Sequence, residues 1–254
     1  MRIISYNVNG IRSAISKGFF QWLATDPADV VCVQEIKALQ ENVDCRPFEE
    51  LGYSHYWFSA QKKGYSGVAV FSKIRPDRVV TGDGNPLSDQ EGRVIRLDFG
   101  SLSLINTYIP SGTSGEERQK FKYLWLEEFQ AFLNHLRLER PNLIVCGDYN
   151  ICHKPIDIHD PVGNKNSSGF LPEERAWMDR FFASGFVDSF RIFHPEPGQY
   201  SWWSMRANAR ANNKGWRIDY INPTESLKDR LQDARLFPQV RHSDHCPVYL
   251  ELKS

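Results

Sequence analysis

The sequence predicts an α/β fold in one domain that spans residues 1–254. Three observations lead to this class. Short apolar runs of strand length alternate with amphipathic stretches, no low-complexity segment or charge block divides the chain, and 254 residues lie within the range of one large domain. Several predicted strands end in polar residues, and ligand sites in such sheets form outside the strand ends.

The elements of the first part of the chain follow from the spacing of apolar residues. RIISYNV (residues 2–8) and DVVCVQE (residues 29–35) are typical of strands, and a helix over residues 18–24 is predicted between them. GVAVFSK (residues 67–73) and RVIRLDF (residues 93–99) are the next two strands.

The second part begins with the strand LSLINTYI at residues 102–109 and the clearest helix of the chain at residues 116–138. Apolar side chains recur in that helix at helical spacing: Phe121, Leu124, Trp125, Phe129, Phe132, Leu133 and Leu136. The remaining predictions are a buried strand at residues 143–146, a helix near residues 173–184 and late strands at residues 217–223 and 247–253.

Composition restricts the function classes. Lys+Arg and Asp+Glu are 31 each, so the chain has no global basic field; a nucleic-acid partner would need a local basic patch or a bound metal. The five cysteines form no CxxC pair and are expected to be reduced small hydrophobes. No apolar run has the length of a membrane span, and the N-terminus is strand-like without a leader. We therefore expect a cytoplasmic enzyme or binding protein with no membrane partner.

The segment LIVCGDYNI (residues 143–151) shows how the strand ends carry chemistry. An unpartnered buried carboxylate is costly, so we expect Asp148 to emerge where the apolar strand stops. Because side chains alternate along a strand, Asp148 and Asn150 should share a face, and so should Asn7 and Asn9 at the end of the first strand. Either pair alone could belong to an ordinary turn.

Polar groups at five or six strand ends are a stronger signal than one pair. The other members are Glu35, Tyr108, Asp219, Asp244 and His245. Oxygen donors without paired Cys or His favour Mg²⁺ or Mn²⁺, with Glu35 as the best ligand candidate. His245 is a candidate base that Asp219 could orient. The chain has no GxSxG, GxxxxGK[ST] or GxGxxG motif, so the set points to hydrolysis of a phosphate ester.

Other polar and aromatic residues of the chain also allow a purely structural explanation. His153 is as consistent with a loop histidine as with a substrate contact, and His242 fits a surface or loop position. Of the adjacent pair Trp202 and Trp203, one should pack in the core, because neighbouring strand side chains point to opposite faces.

The chain resembles the exonuclease III/AP endonuclease family of the endonuclease–exonuclease–phosphatase superfamily along essentially its whole length. The motifs that carry the resemblance are SYNVNGIR (5–12), QE (34–35), GYSGVAV (64–70), NTYIP (106–110), GDYN (147–150), GNKNSSGFLPEER (163–175), GWRIDY (215–220) and SDHCPV (243–248). The SGFLPEER and GWRIDY segments narrow the resemblance to the DNA-repair branch. It implies a DNase I-like four-layer α/β sandwich of two packed mixed sheets flanked by helices, and a minimal catalytic domain of bacterial type.

The resemblance also implies roles for the strand-end residues. Glu35 would hold Mg²⁺, which Mn²⁺ could replace, with Asn7 and Asp244 beside it. Asp148 would orient or deprotonate the attacking water, and Asn150 would bind the scissile phosphate. The remaining members of the implied catalytic set are Tyr108, which would donate to that phosphate, and His245, which Asp219 would hold against it.

Substrate contacts follow from the same resemblance. Trp202, Trp216 and Ile218 match a small apolar pocket that accepts a sugar lacking its base, which a tight aromatic pocket can select. Asn9, Arg12, Asn164 and Asn208 would contact DNA. Further candidates for a basic stripe are Lys17, Lys62, Lys63, Lys165, Arg206, Arg210 and Lys214.

Two positions depart from the family pattern. After Pro110, many members have an Asn-rich loop with an inserted Arg, whereas this chain reads SGTSGEERQKF (residues 111–121). Ser111 and Thr113 are small, so we expect weaker DNA penetration there. Position 9 is Asn, where other members carry Asp, so a possible metal ligand is reduced to an amide.

The sequence thus predicts an Mg²⁺-dependent DNA-repair phosphodiesterase that acts as a monomer on double-stranded DNA. It would cut 5′ to abasic sites and trim blocked 3′ ends, with 3′→5′ exonuclease activity as a further expectation. The alternatives are an end-processing 3′-phosphatase or exonuclease with little abasic activity, an inositol or lipid phosphatase of the same superfamily, and a catalytically silent DNA-binding module.

Overall fold

The structure, a computed structural model, describes residues 1–25 and 28–253. Its strands are β1 (Arg2–Asn7), β2 (Val30–Gln34), β3 (Ser54–Phe58), β4 (Val68–Ser72), β5 (Arg78–Thr81), β6 (Val94–Phe99), β7 (Leu102–Tyr108), β8 (Asn142–Asp148), β9 (Trp202–Trp203), β10 (Gly215–Trp216), β11 (Asp219–Pro223), β12 (Leu231–Leu236) and β13 (Val248–Leu252). The helices are α1 (Ile11–Ser16), α2 (Phe19–Thr25), α3 (Arg46–Glu50), α4 (Pro86–Gln90), α5 (Glu116–Glu139), α6 (Pro172–Ala183) and α7 (Ser189–Phe193).

The strands form two large mixed sheets and one short ribbon. The six-stranded sheet has the order β12-β13-β1-β2-β4-β3, and the five-stranded sheet has the order β11-β8-β7-β6-β5. Only the central pairs, β1 with β2 and β7 with β8, are parallel among the described strands. The ribbon joins β9 to β10.

Three apolar clusters stack these elements into four layers. The first lies between the sheets and joins Ile3 and Val70 of one sheet to Leu104 and Ile144 of the other. The second covers the outer face of the six-stranded sheet with α1, α2 and α3. The third covers the outer face of the five-stranded sheet with α5 and α6, where Trp125 and Trp177 are fully buried. The predicted four-layer sandwich is confirmed, and each sheet buries both of its faces.

Buried amides connect the two sheets near one edge. The Gln34 side chain donates to Asn106 Oδ1 at 2.7 Å, and the Asn106 amide donates to the carbonyls of Val33 at 3.0 Å and Ala69 at 2.9 Å. A misplaced sheet would leave these groups unpaired in the core, which is costly. The amides therefore favour one relative position of the sheets, with the ends of both parallel strand pairs at the same edge.

The structure corrects several predicted elements. The strand predicted at residues 143–146 runs over Asn142–Asp148. The one predicted at residues 217–223 begins at Asp219, because the backbone N–H groups of Arg217 and Ile218 donate to the Asp157 carbonyl and to Ser201 Oγ rather than to a neighbouring strand. Helices and strands that the sequence did not predict are β3, β5, β9, β10, β12, α1, α3, α4 and α7. The strands among these are partly exposed and the helices short, so neither has a clear apolar period.

The structure also bears on the predicted state of the cysteines and on the expectation that no segment spans a membrane. All five cysteines are free, and four of them are buried. Within the described ranges, no helix combines the length and the apolar character needed to cross a membrane.

Gly147 allows β8 to approach β7 closely. Its φ of +145° is rare for residues with a side chain, and a Cβ built there would lie 1.8 Å from the carbonyl oxygen of Thr107. A side chain at this position cannot be accommodated without moving the strand that carries Asp148.

We expect Gly147→Ala to lower the free energy of unfolding by at least about 3 kcal/mol, because it combines overpacking with an unfavourable φ. Urea unfolding followed by circular dichroism measures the change. Gly100→Ala is the control: φ is +56° there, but no atom lies within 4 Å of the added Cβ. The control should lose only about 1–2 kcal/mol from backbone strain. Equal losses in the two variants would show that the contact with Thr107 has no energetic importance.

Candidate active site

A cleft of about 700 Å³ opens at the sheet edge where β1, β2, β7 and β8 end. One wall is acidic and the other is apolar. The lining residues are Glu35, Tyr108, Ser111, Gly112, Thr113, Gly115, Asp148, Asn150, Ser167, Ser168, Gly169, Trp202, Trp216, Ile218, Asp244 and His245. The volume is typical of a site for a small molecule or one nucleotide unit.

Asp148 forms the floor of the cleft. It was expected to emerge at the strand end, but only 1% of it is exposed. Its burial is tolerated because it has partners: Asn7 Nδ2 donates to Asp148 Oδ2 at 2.8 Å, and the backbone N–H of Asn150 donates to Asp148 Oδ1 at 2.8 Å. The same Asn7 amide donates to Glu35 Oε1 at 2.9 Å, so it joins carboxylates from the two sheets.

His245 lies between two carboxylates. Its Nδ1 is 2.9 Å from Asp219 Oδ2, while its Nε2 is 3.9 Å from Asp148 Oδ2 and faces the cleft. Asp219 is opposite Asp148 in the antiparallel pair β8–β11, and Ser201 Oγ donates to Asp219 Oδ2 at 2.6 Å. Asp219 thereby holds the imidazole with its second nitrogen toward Asp148.

The buried charges shift one another's protonation. Burial, and then the charge of Asp219, raises the pKa of Asp148 to about 7. Burial opposes protonation of His245, but the charge of Asp219 prevails and raises the pKa of this imidazole to about 10. Burial likewise opposes ionisation of Glu35, but the Lys37 ammonium keeps the pKa of Glu35 below its usual range. A protonated His245 therefore faces an Asp148 that is poised to exchange a proton near neutral pH.

A divalent cation fits this acidic cluster. Ligand atoms of Glu35, Asp148 and His245 lie within 4.8 Å of one another. Burial, and then the negative charge of Asp219, raises the pKa of Asp148, and a cation would favour the ionised carboxylate. Asn7 and Asp244, the residues predicted to lie beside the ion, use their side chains in hydrogen bonds to other protein groups. Asn7 turns its NH₂ group toward the carboxylates, and Asp244 accepts from Asn9 at 2.9 Å and from Trp202 Nε1 at 3.0 Å.

Lys37 is a charged neighbour of the cluster that the sequence analysis missed. Its ammonium lies 2.8 Å from Glu35 Oε2 and donates to Asn9 Oδ1 at 2.5 Å. Asn9, Glu35 and Lys37 all have φ between 44° and 50°, which is uncommon for residues with a side chain.

The phosphate-binding candidates border the acidic wall. Asn150 has φ 52°, and its Nδ2 donates to the carbonyl of Ile109 at 2.9 Å. The Tyr108 hydroxyl donates a hydrogen bond to the Glu35 carboxylate. Burial raises the pKa of this phenol well above its usual value, so the hydroxyl keeps its proton. The Arg93 guanidinium lies 4.7 Å from the centre of the Tyr108 ring and donates to its carbonyl at 2.7 Å. Arg93 was not predicted from the sequence.

The apolar wall consists of Trp202, Trp216 and Ile218, packed on the buried Phe170. The two indole rings are 5.9 Å apart and perpendicular. Trp203 is 3% exposed and packs in a separate cluster, which confirms that only one of the adjacent tryptophans faces the cleft.

Three predicted DNA contacts lie outside the cleft. The Asn164 amide donates to the carbonyls of His159 and Asp160 in its own loop. Asn208 lies in an exposed turn with φ 51°. Arg12 lines a different groove with Lys62 and Lys63. Their roles stay predictions.

The contacts of Arg210, His153 and His242 show what these side chains do in the fold. Arg210, one of the basic-stripe candidates, instead donates to the carbonyls of Pro238, Val240 and Ser243. His153 pairs with Asp179 at 2.7 Å, and His242 packs against Tyr6, Phe19 and Trp22, so both are structural here.

Known proteins are similar to this chain in sequence and in fold. The sequence profile of the Endonuclease/Exonuclease/phosphatase family matches residues 4–245. The exodeoxyribonuclease of Bacillus subtilis (strain 168) is 45% identical over 252 residues, which are 98% of each protein. The AP endonuclease structure from Archaeoglobus fulgidus gives a TM-score of 0.92 at 30% identity, with 100% of both chains covered. The structure of the 3′ phosphatase NExo from Neisseria bound to a product DNA hairpin gives 0.92 at 27% identity, also with 100% of both chains covered.

Without divalent metal, we expect the His245 ring to remain protonated at pH 8 and to become neutral there in Asp219→Asn, because the carboxylate that raises its pKa is lost. ¹⁵N NMR of labelled imidazoles measures this. The folded pKa exceeds the unfolded value of about 6.5, so the stabilisation from this group is complete below pH 6.5 and is lost as pH rises toward 10.

Urea unfolding should therefore show a smaller loss of stability between pH 6.5 and 9 in the variant than in the wild type. His153 is the internal control, because burial lowers its pKa and Asp219→Asn should leave that titration unchanged. A neutral His245 ring at pH 8 in the wild type would contradict the expectation.

Proposed function

This chain belongs to the Endonuclease/Exonuclease/phosphatase family, and on that ground we propose that it is a metal-dependent phosphodiesterase of DNA repair. The predicted resemblance and the predicted nuclease class of hydrolase are confirmed. The proposal extends to the substrate: double-stranded DNA, cut 5′ to abasic sites and trimmed at blocked 3′ ends, with 3′→5′ exonuclease activity. We also propose that residues 1–254 act as one domain, as a monomer, in the cytoplasm.

One observation carries the substrate proposal: the acidic wall and the aromatic wall face each other across a single cleft. A phosphate can approach Asp148 and His245 while the attached sugar lies against Trp202 and Trp216. A sugar without its base has no stacked partner to give up, so a narrow aromatic pocket favours it over an intact nucleotide.

The residues of the acidic wall can divide the work of hydrolysis. Asp148, buried at the floor of the cleft, accepts the proton of the attacking water. His245, held by Asp219 and protonated, donates Nε2–H toward a phosphate oxygen as negative charge develops. Asn150 and Tyr108 supply further neutral donors at the same wall. Water forms the new P–O bond while the bond from phosphorus to the leaving 3′ oxygen breaks. That oxygen takes up a proton from solvent, and Asp148 releases the proton of the attacking water to solvent, so protons and charge balance.

The cation that we propose is Mg²⁺, which Mn²⁺ could replace. Glu35 would hold it, with Asn7 and Asp244 beside it and Asp148 within the same cluster. When bound, such an ion neutralises charge on the phosphate and stabilises the leaving oxygen. Carboxylate oxygens are the donors that these two ions prefer.

DNA would be held outside the cleft by basic residues. Arg12, Lys62 and Lys63 line one groove, and phosphate contacts of this kind position the duplex without reading its sequence. Asn9, Asn164 and Asn208 are the other proposed contacts.

A second candidate function is end processing with little abasic activity. The cleft wall at Ser111, Gly112 and Thr113 carries only small side chains, so little would penetrate an intact duplex. A frayed 3′ end needs no such penetration. The inositol or lipid phosphatase alternative has less support, because among the described residues that line the cleft there is neither Lys nor Arg to bind a phosphorylated head group.

We expect the purified protein with Mg²⁺ to incise a labelled duplex 5′ to a single abasic-site analogue and to remove phosphate from a duplex with a 3′-phosphate. EDTA should stop both reactions, because the acidic cluster then lacks its cation. Gel electrophoresis of both duplexes measures the products. Activity on the 3′-phosphate alone would favour the end-processing function.

The control is Asp148→Asn, which should slow cleavage by about 10²- to 10⁴-fold through loss of the proton acceptor. Duplex binding should be retained, because phosphate contacts elsewhere supply most of it. An intact abasic duplex that nevertheless binds normally to the wild type with Mg²⁺ would rule out the abasic function.

Trp216→Ala should lower kcat/KM on the abasic duplex by at least about tenfold, since it removes the aromatic surface under the sugar. Steady-state kinetics with the labelled duplex measures it. Trp57→Ala is the matched control, because Trp57 is half-buried and packs on Phe71 away from the cleft. An unchanged kcat/KM in Trp216→Ala would support a head-group phosphatase instead.

A further inference from the structure

Beneath the cleft, Lys122 of α5 and Glu174 of α6 form an ion pair in which neither side chain is exposed. The Nζ to Oε1 distance is 2.5 Å. Burying two charges costs several kcal/mol per ion, and apolar residues of similar size often pack two helices as well or better. Helix packing alone therefore does not account for this pair, and the pair takes no part in the proposed steps of hydrolysis.

Outside the ion pair, Lys122 contacts Asn150, a residue that lines the cleft. Its Nζ also donates to the backbone carbonyl of Asn150 at 2.8 Å. Asn150 has a left-handed backbone with φ 52°, a conformation that persists only where its surroundings hold it. Lys122 thus holds from below a residue whose side chain lines the cleft.

Glu174 holds the segment around Gly169, which lies beside Asn150 in the cleft wall. Its Oε1 accepts from Lys122 and from Gln119 Nε2 at 3.1 Å, and its Oε2 accepts the backbone N–H groups of Gly169 at 2.6 Å and Leu171 at 3.0 Å. One carboxylate therefore satisfies four buried or half-buried donors. Two of them belong to the loop that brings Ser167, Ser168 and Gly169 into the cleft.

Gln119 extends the network to the loop after β7. Its Oε1 accepts from Ser168 Oγ at 2.6 Å. A Cβ at Gly112 would lie 1.8 Å from the same Oε1 and 2.6 Å from Ser168 Oγ, so this glycine packs directly on both side chains. One polar network, buried at Lys122 and Glu174 and half-buried at Gln119 and Ser168, thus connects Asn150 with the 167–169 wall and packs against Gly112.

We propose that Lys122 and Glu174 are positioning residues that set Asn150 and the 167–169 wall for the reaction. The inference rests on the proposed function, in which Asn150 contacts the scissile phosphate. The pair acts through groups that touch substrate and does not itself reach the cleft. Loss of the Lys122 ammonium frees the Asn150 carbonyl and leaves the Glu174 carboxylate buried without its countercharge. Asn150 and the Gly169 wall then lose their common support.

The test compares four full-length proteins: wild type, Lys122→Met, the double variant Lys122→Met/Glu174→Gln, and Asp98→Asn. The last is a matched control. Asp98 is a buried carboxylate that pairs with Arg96 at 3.2 Å and accepts from Ser103 at 2.6 Å, and it lies at the far end of β6 from the cleft. Melting temperature reports stability, and steady-state kinetics on the abasic and 3′-phosphate duplexes report kcat and KM separately.

Lys122→Met should lower kcat by at least about tenfold with KM changed less than about threefold, because small misplacements of positioned groups mainly raise the barrier. The double variant should recover much of the melting temperature, since no unpaired charge remains, but not the kcat. Asp98→Asn should lower the melting temperature and leave kcat within about twofold. A kcat that is unchanged in Lys122→Met, or that follows the melting temperature across all four proteins, would overturn the inference.

Amide hydrogen exchange provides a readout that does not depend on turnover. In Lys122→Met, exchange should become faster at residues 150 and 167–171 and stay unchanged at the end of β6; in Asp98→Asn the reverse is expected. If the wild type acts on neither duplex, the proposed function is wrong, and the exchange data alone decide whether the pair positions these segments. Equal exchange at residues 167–171 in both variants would then refute it.

Discussion

The face-to-face packing of two mixed sheets is the constraint on which the rest of the structure depends. Each sheet has one central parallel pair, β1–β2 or β7–β8, and both pairs end at the same edge of the sandwich. Asn7 and Glu35 come from one sheet and Asp148 from the other, and they meet only because the apolar faces between the sheets pack together. The Asn7 amide, which donates to both carboxylates, is the direct link across that packing.

Crowded negative charge is the consequence of this meeting of strand ends. Glu35, Asp148 and Asp219 approach one another with little solvent, and an unbalanced group of that kind would oppose folding. The structure balances it with donors and cations of its own: the Asn7 amide, the Lys37 ammonium and the protonated His245. A divalent metal would complete that balance by favouring the ionised form of Asp148, whose pKa is raised by burial and then by the charge of Asp219.

The sequence was most informative where local pattern and role coincide. Polar residues at several strand ends predicted a common site, and Asn7, Asn9, Asp148 and Asn150 all lie in or beside the acidic cluster. Asn9 and Asn150 follow the last residues of their strands and have left-handed backbones, so strand alternation does not explain their positions. The buried support of the site was not predictable in this way. Lys122 and Glu174 are 52 positions apart, and each resembles an ordinary charged residue on an amphipathic helix. Nothing local shows that the two helices turn these side chains toward each other.

By itself, the sequence determined the α/β class, the main strands and long helix, and the family with its acidic strand ends, because apolar period and short motifs are local properties of the chain. Only the tertiary structure decided that Asp148 is buried, that Arg210 donates hydrogen bonds to backbone carbonyls and that the Asn164 amide donates within its own loop. It also decided which tryptophan faces the cleft. Burial, pKa and hydrogen-bond partners depend on segments far apart in sequence, which become neighbours only when the two sheets pack.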